Sequence, residues 1–170
     1  ARHRRVMEEF ARRGCISAKD MTRESADCVA MFGDATEAYR YVLHLNAQRC
    51  RAGMPPYSSM ARDLIKMGKA AEIDPADVCK DVLESIEGTR GIRTAPLGFY
   101  QGMAKHLSGE SLKRLFATCP SSVSGDEWAG AADKVGLFKL LTEAEMLEWL
   151  CDAIRSSNRY SAENLVRVVE

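Results

Sequence analysis

The sequence predicts an all-α protein, built as a solenoid of antiparallel helix–turn–helix repeats with a period of about 34 residues. Three observations predict this fold class. Helix-start signals recur at equal spacing, two stretches of the chain match one another, and no alternating run of β-branched residues marks a strand. We therefore expect helices throughout and essentially no sheet.

The helix starts form two interleaved sets. In the first set a capping Ser, Thr or Asp precedes an apolar stripe at Asp74, Ser108 and Thr142, which are 34 positions apart. The second set falls between them, and its members lie near Ser58, Thr94, Ser124 and Ser161. The predicted repeat unit is therefore a pair of helices.

An internal match supports the period. Residues 60–86 align without a gap on residues 128–154, a shift of 68 positions or two periods, and the alignment pairs Lys66 with Lys134 and Gly68 with Gly136. We expect Gly33, Gly68 and Gly136 to end the first helix of a unit, because only glycine reaches the left-handed conformation cheaply. The five prolines fall at predicted helix boundaries, where proline is tolerated: Pro55, Pro56, Pro75, Pro96 and Pro120.

The domain expected from this pattern covers residues 1–170 as a single helical-repeat domain of about five helix pairs. Single units cannot bury their own apolar faces, so neighbouring units must stack into a continuous core. The sequence starts at Ala1 and stops within a predicted helix. We expect it to be a fragment of a longer chain.

Composition places the chain among ordinary globular proteins. Hydrophobic residues make up 46% and charged residues 28%, and Lys plus Arg equal Asp plus Glu at 24 each. No global field attracts a polyanion, so a nucleic-acid surface must come from the local distribution of charge. No apolar run is long enough for a membrane span and no secretory signal is present, which predicts an intracellular soluble protein.

The cysteines and histidines give no chemical motif. The six cysteines contain no Cys-x-x-Cys pair, which favours free, mostly buried thiols over disulfides or a metal site. His3, His44 and His106 are far apart, and no phosphate-binding loop, nucleophile elbow or zinc-binding His-Glu-x-x-His motif occurs. We therefore expect no enzyme activity, no cofactor and no small-molecule substrate, although distant residues can assemble a site.

The repeated string resembles a known group of proteins. One part of it is the string Trp-Ala-Gly-Ala-Ala-Asp-Lys-Val-Gly at residues 128–136. A second part is the helix start Ser-Ala-Glu-Asn-Leu, which occurs later in the chain at residues 161–165. These strings resemble the degenerate α-helical repeats of organellar RNA-binding proteins, namely the RAP and FAST-kinase-like group and the related octotricopeptide and pentatricopeptide repeats. The resemblance implies an architecture similar to armadillo, HEAT or pentatricopeptide repeats. It also implies RNA processing, editing or translation in mitochondria or plastids. The loop between helices is longer than in pentatricopeptide repeats, so no residue-by-base code is transferred.

Two groups of cations are candidate RNA-binding residues. Lys66 and Lys134 occupy the same repeat position and Lys105 falls near it, so a solenoid would align them in a row facing one groove. The alternative is that these lysines only complement the carbonyl groups at helix ends. The second group is the N-terminal run of arginines, which either contacts phosphate or forms the polar face of an amphipathic helix: Arg2, Arg4, Arg5, Arg12 and Arg13.

Four aromatic side chains have two interpretations. Tyr39, Tyr41, Phe99 and Tyr100 could stack on unpaired bases, but they fall on apolar stripes and are expected to pack in the core. The leading hypothesis is a non-catalytic module that binds single-stranded RNA in a mitochondrial RNA complex together with other protein subunits. The main alternative is a protein–protein interaction scaffold of a large ribonucleoprotein assembly, which the neutral net charge favours.

Overall fold

The architecture is all-α over the residues that the structure describes. A computed structural model describes residues 32–157 and 159–169, and these contain two short 3₁₀ helices, Gly91–Thr94 and Leu137–Leu140, and no strand. The α-helices of these residues are α1 (Ala35–Arg51), α2 (Met60–Ala70), α3 (Pro75–Ile86), α4 (Leu97–Ala104), α5 (Gly109–Leu115), α6 (Gly125–Lys134), α7 (Glu143–Ser156) and α8 (Ala162–Val169). The prediction of helices without sheet is confirmed for this part of the chain.

The predicted helix starts coincide with the observed ones. Asp74 caps α3 by accepting a hydrogen bond from the backbone N–H of Ala76 at 2.8 Å, and Thr142 caps α7 in a capping box with Glu145. Ser108 directly precedes α5, and Ser124 forms a second capping box at the start of α6. Three further helices, α2, α4 and α8, begin within three residues of Ser58, Thr94 and Ser161.

One of the predicted glycine stops is wrong. Gly33 and Gly136 have φ angles of 69° and 77°, as expected, but Gly68 lies inside α2 and the left-handed residue after that helix is Glu72, with a φ of 58°. The N–H of Ile73 then donates to the carbonyl of Gly68 at 2.8 Å, which closes the helix end. A Cβ at Gly68 would lie 2.4 Å from Cγ2 of Val78, so this glycine lets α2 and α3 approach closely.

Helices pack mainly against their near neighbours in sequence. The first helix α1 contacts α2 and α3, α2 also contacts α3 and α4, and α6 contacts α7 and α8. A Cβ at Gly98 would lie 3.3 Å from Ser58 and one at Gly102 would lie 3.4 Å from Ala61, so α2 and α4 run side by side in the same direction. The backbone N–H of Ser161 reaches Asp126 while Leu165 clusters with Ala129, so α6 and α8 are also parallel neighbours.

Aromatic side chains join the middle of the core. The rings of Tyr100 and Phe116 lie 4.7 Å and 4.6 Å from that of Trp128, and all three side chains are buried. Trp149 is partly buried and donates its Nε1–H to the carbonyl of Phe116 at 2.8 Å. These contacts link the segments before and after residue 120.

Three of the four aromatic residues considered for base stacking are buried, and Tyr41 is partly buried against the core. Phe99, Tyr100 and Tyr39 are at most 2% exposed, and the ring of Tyr41 packs 5.0 Å from that of Phe32. Core packing is therefore confirmed, and the base-stacking interpretation is wrong for the three buried rings because no base could reach their faces.

The cysteines within the described residues are free thiols. Cys50, Cys79 and Cys119 are buried, and burial raises the pKa of each to about 11. Cys151 is exposed, so three of the four described thiols are buried, as the expectation of mostly buried thiols requires. Cys15 and Cys28 lie outside the described residues. None of the described helices has both the length and the apolar character needed to cross a membrane.

Candidate nucleic-acid interface

A groove of about 460 Å³ lies between the parallel helices α2 and α4. Its lining includes four lysine or arginine side chains and no carboxylate: Arg62, Lys66, Lys69 and Lys105. His106 lies beside Lys105 on the same wall. We name this surface the α2/α4 groove.

Helical spacing places three of the cations on one face of α2. Arg62, Lys66 and Lys69 are four and three positions apart, which puts successive side chains on the same side of an α-helix. Leu64 and Met67 point the opposite way into the core, where they are at most 1% exposed. The amphipathic pattern of α2 therefore both anchors the helix and presents the cations.

Small residues at the floor of the α2/α4 groove let α2 and α4 lie close together. Gly98 and Gly102 are four positions apart on α4, and an added Cβ would lie 3.3 Å from Ser58 at Gly98, which is tight, and 3.4 Å from Ala61 at Gly102, which is close to an ordinary contact. Lys105 is the C-cap residue of α4, three positions after Gly102. The close approach brings Lys105 to the wall opposite Lys66.

The positive charge of the groove is weakly compensated. Arg62 lies 3.7 Å from the carboxylate of Asp63, a neighbour on the same helix. Among the described residues no carboxylate lies within 4.0 Å of the ammonium groups of Lys66, Lys69 or Lys105. The single cations of α3, α7 and α8 each have such a partner: Lys80, Arg155 and Arg167. Three ammonium groups of like sign thus face one open groove, an arrangement that attracts an anion.

The structure brings together two of the three predicted lysines. Lys66 and Lys105 line the α2/α4 groove, whereas Lys134 ends α6 outside it. The five predicted arginines Arg2, Arg4, Arg5, Arg12 and Arg13 lie outside the described residues. Sequence reasoning missed Arg62 and Lys69, because it compared one position per repeat. The i, i+4, i+7 spacing around Lys66 was the signal that could have found them.

The start of α6 differs in charge from the start of α2. Ser58 and Ser59 correspond to Asp126 and Glu127 under the shift of 68 positions, and Arg62 corresponds to Gly130. Asp126 accepts hydrogen bonds from the backbone of Ser161 at 3.1 Å and from the side chain of Asn164 at 3.2 Å. The start of α6 is therefore already occupied by the protein's own carboxylates.

Hydrogen bonding keeps these carboxylates ionised. Burial alone would raise the pKa of Asp126, but hydrogen bonds from Asn164 and from backbone N–H groups hold it below its ordinary value. The hydroxyl and backbone N–H of Ser124 lower the pKa of Glu127 in the same way. The positions that carry Ser58 and Ser59 beside the α2/α4 groove thus carry ionised carboxylates here.

A buried tyrosine lines a second cavity of the described residues. This cavity of about 680 Å³ borders α1 and α3, where the hydroxyl of Tyr39 donates to Asp81 at 2.8 Å. Burial and this hydrogen bond raise the pKa of Tyr39, so the phenol stays protonated. Among the described residues no group of three His, Cys, Asp or Glu side chains is placed to hold a metal ion.

No model of a protein family matches the sequence, and no curated protein or solved structure matches the chain.

Proposed function

We propose that this chain is a non-catalytic RNA-binding module, built from stacked helix pairs, of an organellar RNA processing, editing or translation complex. The observation that carries the proposal is the α2/α4 groove, where four cations from two helices face one another without a lining carboxylate. Phosphate is the common anion that such an array of ammonium and guanidinium groups suits. The organelle, mitochondrial in the first instance, rests on the sequence resemblance alone.

The arrangement of the helices supports a solenoid. The helices α3, α5 and α7 begin 34 positions apart, while α4 begins 37 positions after α2 and α8 begins 37 positions after α6. The two pairs that begin 37 positions apart, α2 with α4 and α6 with α8, are parallel neighbours, as corresponding helices of adjacent units are in a solenoid. Stacked units of this kind present long grooves, which suit an extended single strand better than a small molecule.

A binding titration tests the proposal with a matched control. We expect the 170-residue chain to bind a fluorescein-labelled single-stranded RNA in fluorescence anisotropy at low salt. The double variant Lys66→Ala/Lys105→Ala should bind about tenfold more weakly, because two phosphate contacts are lost. Lys134→Ala removes an equivalent lysine outside the groove and should leave affinity unchanged.

The control also separates groove binding from nonspecific attraction. Equal losses in the double variant and in Lys134→Ala would mean that the groove has no special role. Absence of RNA binding by the unaltered chain would reject the function. Circular dichroism should show that all variants keep the helical content and melting temperature of the parent, because each altered side chain is exposed.

The second candidate function is a protein–protein scaffold in a ribonucleoprotein assembly. The observation in its favour is that Leu147 of α7 and Val166 of α8 are 55% and 53% exposed, so apolar surface remains uncovered on the last helices. A chain without RNA affinity whose Leu147→Glu variant loses association with a protein partner would favour this function.

A further inference from the structure

A group of four arginines lies beyond one end of the α2/α4 groove, where the end of α1 meets the 3₁₀ helix Gly91–Thr94. Arg49 and Arg51 belong to the last turn of α1, Arg90 directly precedes the 3₁₀ helix, and Arg93 lies within it. Arg51, Arg90 and Arg93 are exposed, and Arg49 is partly buried. We name these four residues the arginine cluster.

Close backbone packing brings the two segments of the arginine cluster together. A Cβ added at Gly91 would lie 2.2 Å from the carbonyl oxygen of Met54, so a side chain at this position would push the segments apart. A Cβ added at Gly53 would lie 3.9 Å from the Cβ of Arg90. Arg90 is therefore a neighbour of the turn that follows Arg51.

The 3₁₀ geometry turns Arg90 and Arg93 to the same side. Side chains three positions apart eclipse one another in a 3₁₀ helix. Arg90 has helical φ and ψ angles of −64° and −35°, and its carbonyl accepts a hydrogen bond from the backbone N–H of Arg93 at 3.3 Å. Both side chains thus leave the backbone on the side where Arg90 meets Gly53.

The arginine cluster continues from the end of the α2/α4 groove. The guanidinium of Arg49 lies 4.2 Å from the centre of the Tyr57 ring, and Tyr57 directly precedes Ser58, which lines the groove. On the other wall, Arg93 precedes the groove residue Gly98 by five positions, which an extended chain covers in at most about 18 Å. Positive charge therefore extends past Ser58 beyond the four cations of the groove.

Nearby carboxylates do not compensate the charge of the arginine cluster. Among the described residues none lies within 4.0 Å of its four guanidinium groups. Glu87 is three positions from Arg90, but its carboxylate pairs with Arg114 at 2.6 Å. In contrast, Arg155 and Arg167 pair with carboxylates of their own helices. The cluster therefore attracts an anion from outside the chain.

We infer that the arginine cluster is a second phosphate-binding site, which holds the RNA strand where it leaves the α2/α4 groove past Ser58. The inference rests on the proposed function, since it assumes that the groove binds the same strand. Guanidinium groups present pairs of donors that match two oxygens of one phosphate, so the exposed Arg51, Arg90 and Arg93 suit the backbone of the strand. A strand that only fills the groove does not reach these residues.

The length of the RNA tests this inference. The probes are two labelled uridine oligonucleotides of about six and about twelve nucleotides, which lie within the range of site sizes of single-strand binders. We expect the parent chain to bind the longer strand more tightly. The variant Arg90→Ala/Arg93→Ala should bind the longer strand about tenfold more weakly, because two phosphate contacts are lost, and should bind the shorter strand within about twofold of the parent.

The salt dependence and two control variants assign the effect to the arginine cluster. The log–log salt slope of Arg90→Ala/Arg93→Ala should fall in magnitude by about 1.4 for the longer strand only. Arg40→Ala removes an exposed arginine of α1 that lines the other cavity, and should leave both affinities unchanged. Lys66→Ala should weaken binding of both strands. Thermal unfolding of these variants should match that of the parent, since the altered side chains are exposed.

The outcomes separate this inference from the proposed function. If the parent chain binds neither strand, both fail. If the parent binds both lengths equally, or if Arg90→Ala/Arg93→Ala keeps the parental affinity for the longer strand, the arginine cluster does not hold the strand and only RNA binding by the groove stands. Equal losses for both lengths would also overturn the inference, because the cluster would not then be an extension of the groove.

Discussion

At the scale of single residues, two glycines in comparable helices meet different surroundings. Gly68 in α2 faces the side chain of Val78, and an added Cβ would lie 2.4 Å from it. A Cβ added at Gly130 in α6 would meet no atom within 4 Å besides the backbone of its own helix and its chain neighbours. A buried β-branched side chain cannot move away easily, because its χ1 angle is restricted. The same substitution should therefore have opposite effects at the two sites.

We expect Gly68→Ala to lower the free energy of unfolding by about 1–3 kcal/mol through overpacking. Gly130→Ala, the matched control, should raise it by about 0.5–1 kcal/mol, because alanine loses less backbone entropy in a helix. Equilibrium unfolding in urea measures both values. A Gly68→Ala variant as stable as the parent would show that the helices α2 and α3 are not tightly packed at this point.

Position 68 also shows why a residue pattern can mislead. A glycine near a helix end predicts a stop, and Gly136 is one, but at Gly68 the absence of a side chain serves the contact with Val78. The sequence carries no sign of that contact, since Val78 lies in the next helix. Burial of Phe99 and Tyr100 was predictable, because both fall on the apolar stripe of α4.

At the scale of secondary-structure elements, local hydrogen bonds determine where helices begin. The caps at Asp74, Ser124 and Thr142 use side chains within three residues of the amides that they bind, so sequence alone predicts these starts. Helix ends were harder to predict, because α2 ends through Glu72, a residue with no common preference for the left-handed conformation. The side-by-side packing of α2 and α4 depends on residues about 40 positions apart and was not predictable in detail.

The junction of α6 and α8 should respond to acid. The pKa of Asp126 and the pKa of Glu127 are lowered in the folded chain, so both carboxylates stabilise it fully above their unfolded pKa of about 4. The contribution disappears as the pH falls through the lower, folded pKa. We expect the melting temperature to fall between about pH 5 and pH 3.

Replacement of Asp126 by asparagine should reduce this dependence on pH and lower the melting temperature by about 2–4 °C at pH 7. Asp152→Asn is the control, because Asp152 forms only an exposed pair with Arg155 at 3.2 Å. Differential scanning calorimetry from pH 7 to pH 3 measures both variants. Identical pH profiles for Asp126→Asn and the parent would contradict the role given to this carboxylate.

At the scale of the whole molecule, a net charge of zero conceals a separation of charge. In the first of the two parallel helix pairs, two serines precede α2 and Arg62 lies in its first turn. The corresponding positions of the second pair, in α6, carry two carboxylates and Gly130. The equal totals of basic and acidic residues therefore do not argue against a local site for a polyanion. Composition predicted only that any such site must be local, and the lysine pattern found half of the cations that line the groove.

The dependence of RNA affinity on salt concentration tests the central claim most directly. Each phosphate contact contributes about 0.7 to the log–log slope for a single strand, because binding releases condensed counterions. Anisotropy titrations between 50 and 200 mM KCl, concentrations at which this effect is large, should give a slope about 1.4 smaller in magnitude for Lys66→Ala/Lys105→Ala than for the parent. Lys134→Ala should keep the parental slope. A double variant with the parental slope and affinity would contradict phosphate binding by the α2/α4 groove.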